Sequence, residues 1–147
     1  MKRLLCLLLL ISIVAEARFV RNDAGYVLDQ KTRLIWQDDY PEGEVVSLGW
    51  TEAVSYCNDL DLAGKGWRLP SINELLSIVD YGRDDWAPVF PTAFLHAEFG
   101  DYWSSTTRVA IDPKQAWTIN FYSGQARTWE KKDNRFYVRC VRDAVGE

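Results

Sequence analysis

Histidine, methionine and cysteine are nearly missing from this chain of 147 residues, which has one His, one Met and three Cys. With His96 as the lone imidazole, neither a multi-histidine metal centre nor a His-centred triad with clear partners can be assembled. Long hydrophobic runs are absent too. The longest, Leu4–Val14, has 11 residues, against roughly 20 needed to span a bilayer. No segment repeats, and no stretch rich in Pro, Gly or Ser marks a linker. Positive charge is scarce, with 17 Lys and Arg against 21 Asp and Glu for a net charge of −4. That balance argues against general nucleic-acid binding.

What is present begins with a targeting pattern. Lys2 and Arg3 precede the apolar run, and Ala15-Glu16-Ala17 supplies the small-x-small cleavage site of a secretory leader. Residues 1–17 are therefore expected to be a signal peptide, and residues 18–147 a single domain in the periplasm or outside the cell. Without Cys6, the remaining cysteines are Cys57 and Cys140. An even pair in an oxidising compartment is expected to form a disulfide, the alternative being two buried thiols. All seven Trp, seven Tyr and six Phe lie beyond the expected cut. Rings can fill a small core on few residues, and exposed ones are candidate ligand platforms.

Charge is unevenly placed. Residues 22–101 carry 5 Lys/Arg against 15 Asp/Glu, whereas residues 108–142 carry 8 against 3. The basic C-terminal third is where an anionic partner would be met.

Hydrophobic periodicity divides the chain into short elements. Tyr26-Val27-Leu28 and Leu34-Ile35-Trp36 read as a strand pair, and Gln37 to Gly49 as a loop. Ala53, Val54, Cys57 and Leu60 recur at helical spacing from about Thr51, which puts Cys57 on a buried stripe. Ser71-Ile72-Asn73-Glu74 fits a capping box opening a second helix, with Leu75, Leu76 and Val79 on its apolar face and Tyr81-Gly82 closing it. Arg83 to Asp101 reads as irregular. Trp117, Ile119 and Phe121 alternate as a strand, Ser123-Gly124 turns the chain into Gln125–Trp129, and Phe136, Val138 and Cys140 mark a last strand.

Three segments carry a family resemblance: Gly66-Trp67-Arg68-Leu69-Pro70, Tyr102-Trp103-Ser104-Ser105-Thr106-Thr107 and Tyr137-Val138-Arg139-Cys140-Val141-Arg142. With the opening Leu34-Ile35-Trp36-Gln37 and Trp117 to Phe121, they resemble a bacterial domain of unknown function, the C-terminal domain of the Legionella collagen-like protein. The resemblance implies an α+β, C-type-lectin-like fold with two helices flanking a twisted antiparallel sheet. It also implies a Cys57–Cys140 disulfide from the first helix to the last strand. The adhesin that names the family is associated with host glycosaminoglycans. This chain lacks that adhesin's collagen-like repeats, so multivalency does not transfer. It also lacks the Glu-Pro-Asn, Gln-Pro-Asp and Trp-Asn-Asp tripeptides of calcium-dependent lectins.

Several clusters invite a site. Asp38-Asp39 and Asp84-Asp85 offer hard oxygens to calcium, although adjacent acids on loops are more often solvated surface. Asp59-Leu60-Asp61 starts like an EF-hand loop but has Ala63 at its fifth position. The hydroxyls of Tyr102–Thr107 suit a sugar, or a central strand with small residues under aromatics. The basic group Arg127, Lys131, Lys132, Arg135, Arg139 and Arg142 suits sulfate or carboxylate, or else forms a solvated edge, with Arg139 a candidate ion-pair partner for an N-terminal acid. Trp36, Trp67, Trp103 and Trp117 are expected in the core, with Trp86 and Trp129 at the surface and Trp129 able to stack on a sugar. His96 reads as an exposed polar residue.

The expected ligand site is therefore Arg127, Trp129, Lys131, Lys132, Arg135 and Trp86, with no cofactor. The expected function is a non-enzymatic module binding a glycan or a protein of the envelope or host. A structural envelope protein seated on a partner chain is the alternative, and a glycan-acting enzyme with two carboxylates comes third.

Overall fold

The computed structural model describes residues 17–82 and 90–145. Asp84, Asp85 and Trp86 lie outside them, as does all of the expected leader except Ala17. The fold is α+β, with two helices, two largely antiparallel sheets and one disulfide.

The first sheet joins the chain's two ends. Its order is β1 (Phe19–Asn22), β2 (Tyr26–Asp29), β3 (Leu34–Gln37) and β9 (Val141–Asp143). The second has the order β4 (Ser47–Leu48), β8 (Phe136–Tyr137), β5 (Asp101–Arg108), β6 (Asp112–Asn120) and β7 (Gln125–Glu130). Helices α1 (Trp50–Asp59) and α2 (Ile72–Ser77) both lie against the second sheet.

That sheet is buried on both faces because its central residues are apolar in both registers. Tyr102, Ile119 and Phe121 enter a core with Leu75 from α2, Ile78 just after it, Trp36 from β3, and Phe90 and Phe94. Trp103 and Ala116 enter a second core with Ala53 and Cys57 from α1, and with Trp67, Val138 and Cys140. The periodic residues of α1 thus face inward as expected. Cys57 and Cys140 are bonded, with a sequence separation of 83. In the loop-entropy account, a closure of that length restricts the unfolded chain by about 4.5 kcal/mol.

Three expectations change. The last strand is two strands, not one. Tyr137 pairs with the second sheet and Val141 with the first. Between them the backbone crosses over, with Cys140 accepting from the Gln37 N–H and donating to the Gln37 side chain. Val138, Arg139 and Cys140 are all buried there, so alternation fails to put one face in water. Helix α2 ends at Ser77, before Val79. Ile78 and Val79 donate to carbonyls three residues back and close the turn. β-Branched residues are costly to keep in a helix, and the Ser77 hydroxyl donates to the Glu74 carbonyl. Finally, Trp117 is half-buried and not core, because the β5–β6 register shifts beyond Trp103 and leaves it opposite a bulge.

Candidate functional site

The two helices begin differently. At α2, the Ser71 hydroxyl accepts from the Glu74 N–H, and the Glu74 carboxylate accepts from the Ser71 N–H. Arg68 then grips Glu74 through two nitrogens, each at 2.8 Å. Burial alone would raise the Glu74 pKa, but the bonds from Arg68 and Ser71 outweigh it and hold it below its ordinary value. At α1 the capping position is Gly49, which has no side chain to accept from the first-turn N–H groups. Glu52 reaches back to the Gly49 N–H at 3.1 Å. First-turn N–H groups of α1 are therefore left without a side-chain cap, with the Glu52 carboxylate beside them.

What lies in front is the β7–β8 loop. Gly49, Trp50, Thr51 and Glu52 form one wall of a cleft of about 430 Å³, and Lys131 to Arg135 form the other. A second hollow of about 530 Å³ adjoins it and adds Lys114 and Glu130. Lys131 holds its ammonium 4.1 Å from the centre of the Trp50 ring and donates to the Pro113 carbonyl at 2.9 Å. Two of its three donors remain for a ligand. Lys132 is exposed and unpaired among the described residues. Arg135 is committed at both ends, to Glu52 at 3.0 Å and to the Ser47 carbonyl. The Trp50 ring is fixed by its N–H, which donates to the Ser104 carbonyl at 2.9 Å.

The basic group read from sequence is thus split four ways. Lys131, Lys132 and Arg135 come together. Arg127 sits further along β7, opposite Thr118, and its guanidinium donates to the Gln125 side chain at 3.4 Å. Arg142 lies over Trp67 and donates to the Ala63 carbonyl. Arg139 is wholly buried.

Around Arg139 the structure builds a closed ionic hub. Its guanidinium donates to Asp38 at 3.1 Å and to the His96 carbonyl, and lies against Phe94 and Phe90 at 4.5 and 4.7 Å. Asp38 also takes Arg21 and the N–H groups of Leu95 and His96. Burial pushes Tyr102 up to about 12, so this neighbour stays a neutral hydroxyl and Asp38 is the counter-charge. The expected N-terminal ion-pair partner of Arg139 is therefore Asp38.

The hub removes two other expectations. Asp38 has no free oxygen for calcium, and Asp39 turns one of its own to the Tyr40 N–H. His96 is not a free surface residue, since its Nδ1 lies 2.6 Å from the Asp38 carbonyl. Trp129 is half-buried: one side of it packs on Phe136 with centroids 5.3 Å apart, and its ring nitrogen is buried. Trp50, equally half-buried, is the ring at the cleft. The hydroxyls of Ser104, Ser105 and Thr106 bond to Trp117, Pro70 and Ile72, which favours the central-strand reading.

The model of the Lcl C-terminal domain family matches residues 25–142. The chain belongs to the Lcl C-terminal domain family. No curated protein matches the chain. The family match takes in α1, the β7–β8 loop, both disulfide cysteines and the Asp38–Arg139 pair, and it leaves out β1. This Lcl C-terminal domain therefore carries the cleft inside its family-defining region. Sequence reasoning missed Trp50. The available signal was an aromatic directly after Gly49 at a helix start, which apolar counting had no reason to separate from the core.

Proposed function

We propose that the protein is an exported, non-enzymatic binding module that holds an anionic glycan in the cleft between α1 and the β7–β8 loop. The uncapped start of α1 facing Lys131 and Lys132 carries this reading. Open N–H groups, two cations and an aromatic wall are what a sulfated or carboxylated sugar requires. The two helices against the second sheet and the disulfide from α1 to the final crossover support a C-type-lectin-like arrangement. The same disulfide is compatible with cleavage after Ala17 and residence in the periplasm or outside the cell.

Binding of the oxidised protein to heparin and to its desulfated form tests the reading. Binding is expected to require sulfate, to fall with salt and to be indifferent to chelator. Lys131→Ala with Lys132→Ala is expected to weaken it about tenfold. Unchanged binding by that double variant would overturn the site.

A second reading, an envelope accessory protein seated on a partner chain, draws on the β5–β6 hairpin tip. Val109 is 73% exposed there and Ile111 70%. Concentration-dependent association abolished by Val109→Ser and Ile111→Ser would favour it.

A further inference from the structure

The outer edge of β7 is a second surface, chemically distinct from the cleft. Edge strands offer unpaired N–H and C=O groups to any extended chain, and proteins blunt them with short length, bulges, proline or cover. The other edges here are shorter. β4 has two residues, β9 three and β1 four, and β9 is capped by the bridge from Arg68 to Val141. Strand β7 has six residues in unbroken register with β6, and no proline. Among the described residues, no strand pairs with its far side.

Its geometry can be read residue by residue. The Lys131 N–H donates to the Lys114 carbonyl, so Lys131 faces β6. Alternation then turns the N–H and C=O of Ala126, Thr128 and Glu130 outward. The Glu130 carbonyl confirms this direction by accepting from the Asn134 side chain at 2.9 Å. The groups of Ala126 and Thr128 and the Glu130 N–H remain. Arg127 stands exposed midway along this edge, and Lys131 and Lys132 follow at its end.

We infer that β7 is a docking edge for an acidic, extended peptide segment of a partner protein, which adds as a sixth strand. Backbone pairing gives the peptide its affinity, and Arg127 with the following lysines selects carboxylates. A polysaccharide has no ladder of amide donors and acceptors to match this edge. The two sites share Lys131 and Lys132, but the backbone edge of β7 has no part in the glycan cleft.

The probe is an eight-residue peptide alternating glutamate and threonine, titrated against the full chain with its disulfide intact. Its twin is N-methylated on the two central residues, which removes one donor from each edge. Binding of the first peptide and not the twin is expected, with amide exchange at Ala126 and Thr128 slowed about tenfold. Thr128→Pro removes only an outward N–H, a change edge strands tolerate. It is expected to weaken the peptide about tenfold while heparin binding stays unchanged. Lys131→Ala with Lys132→Ala is expected to weaken both ligands, whereas Thr128→Pro spares heparin and weakens only the peptide, so failure of one site is distinguishable from failure of the other. Equal binding of both peptides would reduce the effect to charge and overturn the inference. So would no binding of either peptide, unaltered exchange at Ala126 and Thr128, or a dimer formed through β7 in the absence of peptide.

Discussion

Arg139 and Lys131 belong to one basic stretch of sequence and end in opposite circumstances. Arg139 is sealed under aromatic rings with a carboxylate and two carbonyls as partners. Lys131 lies over a single ring at the mouth of a cleft, with donors to spare. The helix starts repeat the contrast, since α2 has its first-turn groups satisfied and α1 does not. Charge that is fully partnered builds the frame. Charge left incomplete is what a ligand can finish, and in this molecule the incomplete groups gather at one end of the second sheet.

The strongest way to break the comparison is to empty the hub. Arg139→Ala leaves the Asp38 carboxylate buried with the partly exposed Arg21 as its remaining cation, and is expected to cost about 3–5 kcal/mol in urea unfolding. Arg139→Met, which refills the volume, is expected to cost less. Lys132→Ala, at the open end, is expected to stay within about 0.5 kcal/mol of the parent. Equal losses for Arg139→Ala and Lys132→Ala would erase the distinction between frame and site.

An acid titration sharpens it further. The folded Glu74 carboxyl is held below its ordinary pKa of 4.5. Its stabilisation is therefore complete above that value and is lost as pH falls through the lower folded value. Asp29 follows the same rule: burial would raise it, but Arg18, Thr32 and the Lys31 N–H hold it down. Glu74→Gln is expected to remove on the order of 1 kcal/mol at neutral pH, allowing for the solvent exposure of Arg68, and to flatten the acid limb of the stability curve. Parallel acid limbs for parent and variant would show that Glu74 is not the group being titrated.

How much of this was legible depended on whether the decisive contact was local. The Ser71–Glu74 box, the β2–β3 pair and the buried face of α1 follow from neighbours in sequence, and all three were readable. The split of the last strand was not, because it is decided by Gln37 and Val46 far upstream, which take the backbone bonds of Cys140 and Val138. Arg139 was legible as an ion-pair candidate, but its complete burial was not. Nothing in an alternating Phe-Tyr-Val-Arg-Cys pattern says that both faces are covered. Trp129 and Trp50 were inseparable for a similar reason. The ring on β7 packs on Phe136 of β8, a strand that is not its neighbour in the sheet, while the ring at the helix start lies beside the loop.

The finest test adds to α1 the cap it lacks. Gly49 has ordinary extended backbone angles, φ −66° and ψ 161°. A Cβ there would come no nearer than 3.6 Å to the Glu52 carboxylate. Gly49→Ser therefore fits without strain, and its hydroxyl can accept from the Glu52 N–H as Ser71 does from Glu74. Stability is expected to rise by a few tenths of a kcal/mol, read as a small upward shift in melting temperature. The same bond consumes a donor the ligand would use, so heparin binding is expected to fall about threefold. The two changes must appear together. A more stable protein that binds heparin as before would show that the open end of α1 is merely uncapped, and that Lys131 and Lys132 carry the cleft without it.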